Sequence, residues 1–211
     1  LSLYQFQKPR VAKKLYFDVI PKAVDEYLTF LEKFPQEERI RQVENPVWHI
    51  HAGRPPQWNS PVSFALLLNL VSAANPETRD QLWGFISRYA PQASPESHPL
   101  LDQLAGYAMA YYRDFVEPTK SYRAPDDQER AAMEDLAKRL RAWDGPVDQS
   151  ELQTLTFSVG KEHEFENLRI WFQALYEVLL GQSQGPRFGG FIALYGVEET
   201  AKLIEDALAR A

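Results

Sequence analysis

Residues 181–196 read "GQSQGPRFGGFIALYG" and hold five of the chain's ten glycines together with Pro186. Apolar residues recur on one face at helical spacing on either side of them. Upstream, a segment from about Glu164 to Leu180 carries Leu168, Trp171, Phe172, Leu175 and Leu179, and downstream Val197 to about Ala209 carries Leu203, Ile204 and Leu208. A stretch rich in glycine and proline between two such stripes is a junction that ends one helix and starts another. A short helix from about Phe188 to Tyr195 lies within it. This pattern sets an all-helical expectation for the rest of the chain.

Working outward, the helix starts come with capping chemistry. Asp126 with Glu129 opens a helix to about Trp143, and Asp148 with Glu151 opens the next. Further upstream, Ser60-Pro61, Asn75-Pro76 and Ser97-His98-Pro99 each place a capping side chain beside a proline, where the first turn needs no N–H. Those helices are expected to reach about Ala74, Tyr89 and Phe115. Residues 11–34 carry a stripe of Leu15, Val19, Val24, Leu28 and Leu31, with Pro21 expected to kink or split it. Residues 42–60, with their prolines and two tryptophans, read as a long ordered loop. No alternating run reaches strand length. The expectation is an all-α fold of two packed helical bundles with about nine or ten helices, divided near "SYRAPDD" into residues 1–120 and 121–211.

The chain has 211 residues, no cysteine and a formal net charge of −6. Disulfides, thiolate zinc sites and a cysteine nucleophile are thereby excluded, and a cytoplasmic location is the default. The longest apolar run, Val62 to Val71, is interrupted by Ser63 and Asn69 and falls far short of the roughly 18 residues that span a bilayer. The negative charge argues against nonspecific nucleic-acid binding. Basic residues nevertheless cluster at Lys8, Arg10, Lys13 and Lys14, and at Lys138, Arg139 and Arg141. Each cluster read alone is a solvated face. His49 and His51 face one side only if extended, and no third ligand stands at metal-site spacing. His163, set among carboxylates, reads as part of an exposed helix end. No nucleophile elbow or phosphate-binding glycine loop is present, so no catalytic constellation and no metal site is expected.

"SLYQFQKPRVAKKLYFDVIPKAVDEYL", "NPVWHIHAGRPP", "SPVSFALLLNL" and "FQALYEVLLGQSQGPRFGGFIALYGVEETAKLIEDAL" together resemble class I lysyl-tRNA synthetase, downstream of its signature loop, across essentially the whole chain. The tail is also similar to that of the glutamyl-tRNA synthetases: Leu180-Gly181, Gly185-Pro186, Phe188, then Tyr195-Gly196-Val197-Glu198. "HIHAG" does not match the H-I-G-H signature, because His51 stands where glycine belongs. The resemblance implies a C-terminal fragment, non-catalytic by itself, whose α-helix cage binds the anticodon of tRNA(Lys). The catalytic domain of the same polypeptide would use ATP and Mg²⁺.

The resemblance further places the anticodon-contacting turn on Gly185, Pro186, Arg187 and Phe188. Tyr176 stands where the glutamate enzymes commonly have arginine. On this reading Tyr176, Arg187 and Phe188 supply planes for splayed bases, and Gly185, Gly189 and Gly190 allow close approach of RNA to a helix start. Lys8, Arg10, Lys13 and Lys14 become candidates for backbone phosphates. Without the resemblance, the glycines are caps and Phe188 is core. Two other classes stay open: a helical protein-interaction module, and a free-standing enzyme with a site near His49 and His51.

Overall fold

The computed structural model describes residues 17–60 and 62–210. Among these the protein is all-helical, with eleven α-helices and no strand. They are α1 (Ile20–Lys33), α2 (Arg39–Glu44), α3 (Pro46–Ile50), α4 (Phe64–Ala74), α5 (Arg79–Tyr89), α6 (Pro99–Tyr111), α7 (Asp127–Arg141), α8 (Gln149–Glu162), α9 (Leu168–Leu180), α10 (Phe188–Tyr195) and α11 (Val197–Arg210). The cap signals of the second half are used as the sequence indicates. Asp126 and Glu129 form a reciprocal capping box at α7, and Asp148 accepts from the N–H groups of Ser150 and Glu151 at α8.

Pro21 sits in the first turn of α1, after a 3₁₀ turn over Phe17–Val19, and residues 11–16 of the stripe expected to kink or split there lie outside the described residues. Three expectations are corrected. The loop expected over 42–60 contains α3 and the end of α2. Asn45 caps α3 by accepting from Val47 N–H, with Pro46 in the first turn as prolines also stand in α1 and α6. Asn75 ends α4 in the left-handed conformation instead of opening a helix, and Thr78 with Gln81 caps α5. The segment Glu164–Asn167 lies outside α9, whose cap is Asn167.

The centre of the molecule is α10. Phe188, Phe191 and Ile192 are fully buried, and the helix packs on α8, α4 and α5 at once. Such crowding needs a helix without bulk on its closest face. A Cβ at Gly189 would collide with α8 backbone at Gln149 and Gln153, while the Gly189 N–H donates to Gln153 Oε1 at 2.8 Å. Around this centre α11 lies on α7 and α9, and α4 lies on α1, α6 and α9. One apolar cluster runs from Leu28 to Ala207 through all of these helices. No helix among the described residues is long and apolar enough to cross a membrane.

Candidate nucleic-acid interface

The α9–α10 junction is built around Tyr176. Helix α9 ends where Gly181 adopts a left-handed φ of 66°, and the N–H groups of Gly181 and Gln182 both return to the Tyr176 carbonyl. The Tyr176 hydroxyl reaches forward and donates to the Pro186 carbonyl. Its ring meets Phe188 edge-on, with centroids 5.8 Å apart and planes at 85°. Gly185 lies against the same ring, so close that a Cβ there would overlap it. One tyrosine thus fixes the start, middle and end of the turn. Burial pushes its hydroxyl well above the ordinary tyrosine range, so the group stays a donor at any ordinary pH.

The rest of the junction is tied down from outside. Gln182 Nε2 donates to Ser72 Oγ at 2.9 Å, Ser121 N–H to the Gly181 carbonyl at 3.0 Å, and Lys120 Nζ to the Ser72 carbonyl at 2.9 Å. Behind Gly185, the buried Asn69 side chain has an amide nitrogen, Nδ2, with no partner in hydrogen-bond geometry among the described residues.

The sequence-derived site residues therefore separate by role. Gly185 and Arg187 are exposed and Pro186 is half-buried. Tyr176 is 3% exposed and Phe188 is 0% exposed, so neither ring offers a face to a base in this conformation. The expectation that these two rings are stacking planes is met instead by the core alternative. Their position in one apolar cluster gives the physical reason: the aromatic area contributes more inside than outside. Gly189 and Gly190 are buried too, and the close approach at Gly189 is to α8 rather than to solvent. Lys8, Arg10, Lys13 and Lys14 lie outside the described residues.

What the junction does present is a shallow open hollow lined by Arg169, Phe172, Gln173 and Tyr176 of α9 and by Ser183, Gln184 and Gly185 of the turn. The four α9 residues stand at i, i+3, i+4 and i+7, one stripe of the helix. Sequence reading had counted Phe172 with the core. It lies at the core's margin, half-buried beside Phe157, whose ring centroid is 6.4 Å away. Sequence reading misses Arg169 and Gln173; their spacing from Tyr176 on one helix face is the signal that could have found them with Phe172.

Two arginines of this surface are open to solvent-borne anions. Arg79, Arg88, Arg113, Arg123, Arg139 and Arg141 are each paired with at least one carboxylate. Among the described residues no such partner meets Arg169 or Arg187, nor Arg39, Arg41, Arg54, Arg130 or Arg210 elsewhere on the molecule. The basic run 138–141 accordingly offers little to an anion: Arg139 is held by Asp135 and Glu162, and Arg141 by Glu198 and Glu205.

The histidines fall apart as a group. His49 is exposed on α3, while His51 at the end of α3 shares a 2.7 Å hydrogen bond with the Tyr27 hydroxyl. His163 closes α8 and faces Asp135 at 3.2 Å. Among the described residues no three His, Asp or Glu side chains are grouped to hold a metal ion.

Comparison with known proteins accounts for the whole chain. Lysine–tRNA ligase of Roseobacter denitrificans is 56% identical over 209 residues, which are 99% of this chain and 40% of that protein. The chain is a relative of lysine–tRNA ligases. The ligases of Rickettsia bellii and Rickettsia felis match at 46% and 45% identity over 210 residues, again 99% of the chain and 40% of each relative. The chain thus spans about two fifths of the length of the curated lysine–tRNA ligases it matches. No family model matches it.

Proposed function

We propose that the chain is the tRNA(Lys)-binding, anticodon-contacting portion of a class I lysine–tRNA ligase. Lysine activation with ATP and Mg²⁺ then belongs to the part of the ligase that this chain does not span. The relatives' names supply the tRNA. The observation that carries the placement of the contact is the α9–α10 junction, where a turn fixed by Tyr176 exposes Arg187 and borders an open hollow lined also by Arg169 of α9, neither arginine having a carboxylate partner among the described residues, on a chain of net charge −6. Unpaired bases are read by planar groups and hydrogen-bond donors held in fixed positions, and unpaired guanidinium groups supply both.

In this reading residues 121–211 carry the anticodon contact. Residues 1–120, including Lys8, Arg10, Lys13 and Lys14, lie toward the tRNA backbone. The chain's contribution to catalysis is positional: anticodon engagement sets where the acceptor end arrives. The setting is the cytoplasm, where charged tRNA is consumed.

Binding of the chain to a tRNA(Lys) transcript and to one with the third anticodon base changed, at two salt concentrations, tests this. The altered transcript should bind at least about tenfold more weakly at both salts, because base readout survives screening better than phosphate contact. Equal affinities would sink the anticodon reading and favour a helical interaction module.

A further inference from the structure

We propose that the hollow between α9 and the Ser183–Gly185 turn seats one unpaired pyrimidine. Phe172 is its stacking face, and Gln173 is the group that selects uracil over cytosine. The proposal rests on the tRNA reading above and names the residues that carry it.

Three observations lead there. First, the aromatic side chains expected to stack are unavailable, since Phe188 and Tyr176 are enclosed, whereas Phe172 lines the hollow and is half-buried. A ring that is buried on one side and open on the other is what a base can stack on without unfolding anything. Phe157 of α8, itself 39% exposed, lies beside it at a tilt, and Lys161 Nζ sits 5.0 Å from the Phe157 centroid. Second, the hollow's floor cannot collapse onto a ligand-free state. Tyr176 holds Pro186 and Gly181 in place, so the turn opposite Phe172 is fixed before anything binds.

Third, the polar lining has a defined sense. Gln173 donates its amide N–H to Glu177 Oε1 at 2.6 Å, and Glu177 is itself held by Arg123. That contact orients the side-chain amide and leaves its carbonyl oxygen as an acceptor. Uracil presents an N3–H donor at the position where cytosine presents a bare N3 lone pair. An acceptor there satisfies uracil and repels cytosine, and a base stacked over the exposed Gln173 side chain makes that match or mismatch in a partly desolvated setting. Arg169 and Gln184 flank the hollow and supply donors to the uracil carbonyl oxygens or the adjacent phosphate.

The test uses the 211-residue chain and anticodon stem–loop RNAs carrying U or C at the third anticodon position. Wild type should prefer U. Phe172→Leu, which keeps an apolar side chain, should weaken the U stem–loop about tenfold, and Phe172→Trp should restore it. Gln173→Leu should bring the U-to-C affinity ratio toward one while the C stem–loop keeps its affinity. Far-UV circular dichroism checks that each variant remains folded. A wild-type preference for U that survives both Phe172→Leu and Gln173→Leu would place the base elsewhere and overturn the hollow while leaving anticodon reading intact. Absence of any preference in wild type would overturn both readings together.

Discussion

Replacing Tyr176 by Phe removes one oxygen atom and isolates what it does. The ring still fills the space beside Gly185 and still meets Phe188. Only the hydrogen bond to the Pro186 carbonyl is lost. The expected cost is about 1–2 kcal/mol in urea unfolding, the usual effect of leaving a partly buried acceptor unpaired. Amide exchange over residues 182–187 should quicken while helicity stays unchanged. If neither stability nor exchange responds, the turn is held by the outer ties from Gln182 and Ser121. Gly185 belongs to the same account: Gly185→Ala forces methyl against ring and must displace the tyrosine, so it acts on the turn through Tyr176. A residue selected for base contact and a residue selected to support one are both aromatic in sequence. Only burial tells them apart.

At the scale of elements, caps explain most of what the sequence made legible. Asp126 and Asp148 each bond N–H groups two or three residues ahead, so the chemistry is local and visible in a short window, whereas α4 is capped by Ser63 and not at the expected Ser60-Pro61. The misplacements at Asn75 and over 42–60 have the same origin, because asparagine serves both a helix start and a left-handed helix end. What no window could show is a cap supplied across the fold. Asp25 on α1 accepts from the N–H groups of Phe64 and Ala65 at 2.7 and 3.1 Å, joining α1 to the start of α4. Burial raises its pKa above the usual aspartate value, although both N–H groups work the other way. A raised folded-state pKa means that stability from this group is fully present below the unfolded value and is lost as pH rises through the folded one. Its charge is therefore a cost and its acceptor oxygens the benefit. Asp25→Ala should destabilise by about 2 kcal/mol by orphaning two N–H groups. Asp25→Asn should cost clearly less, since one oxygen still accepts and no charge is buried. Equal urea midpoints for the two variants would mean the carboxylate merely sits near the helix.

For the whole molecule the question is whether the expected division at residues 120 and 121 separates two folding units. The sequence suggested it because the pattern of caps restarts after "SYRAPDD". In space the two halves are joined across that point by Gln182 Nε2, which donates to Ser72 Oγ at 2.9 Å. More weight lies in α10, which belongs to residues 121–211 but buries its side chains against α4 and α5 as well as α8. Cutting the chain there would expose the α4-facing and α5-facing sides of α10, and each large apolar side chain uncovered costs about 1.5–3 kcal/mol. A few such side chains amount to a sizeable share of a typical stability of about 5–15 kcal/mol. The halves should consequently unfold together despite a length at which separate transitions are common. Native-state hydrogen exchange provides the measure: the slowest amides of α4 and of α9 should open with the same free energy and the same dependence on urea. Two different values would show that α10 parts from α4 while its own half stays folded. A shared core also bears on function, because a displacement at the α9–α10 junction is then transmitted to α4 and α1 through side chains that have no room to absorb it.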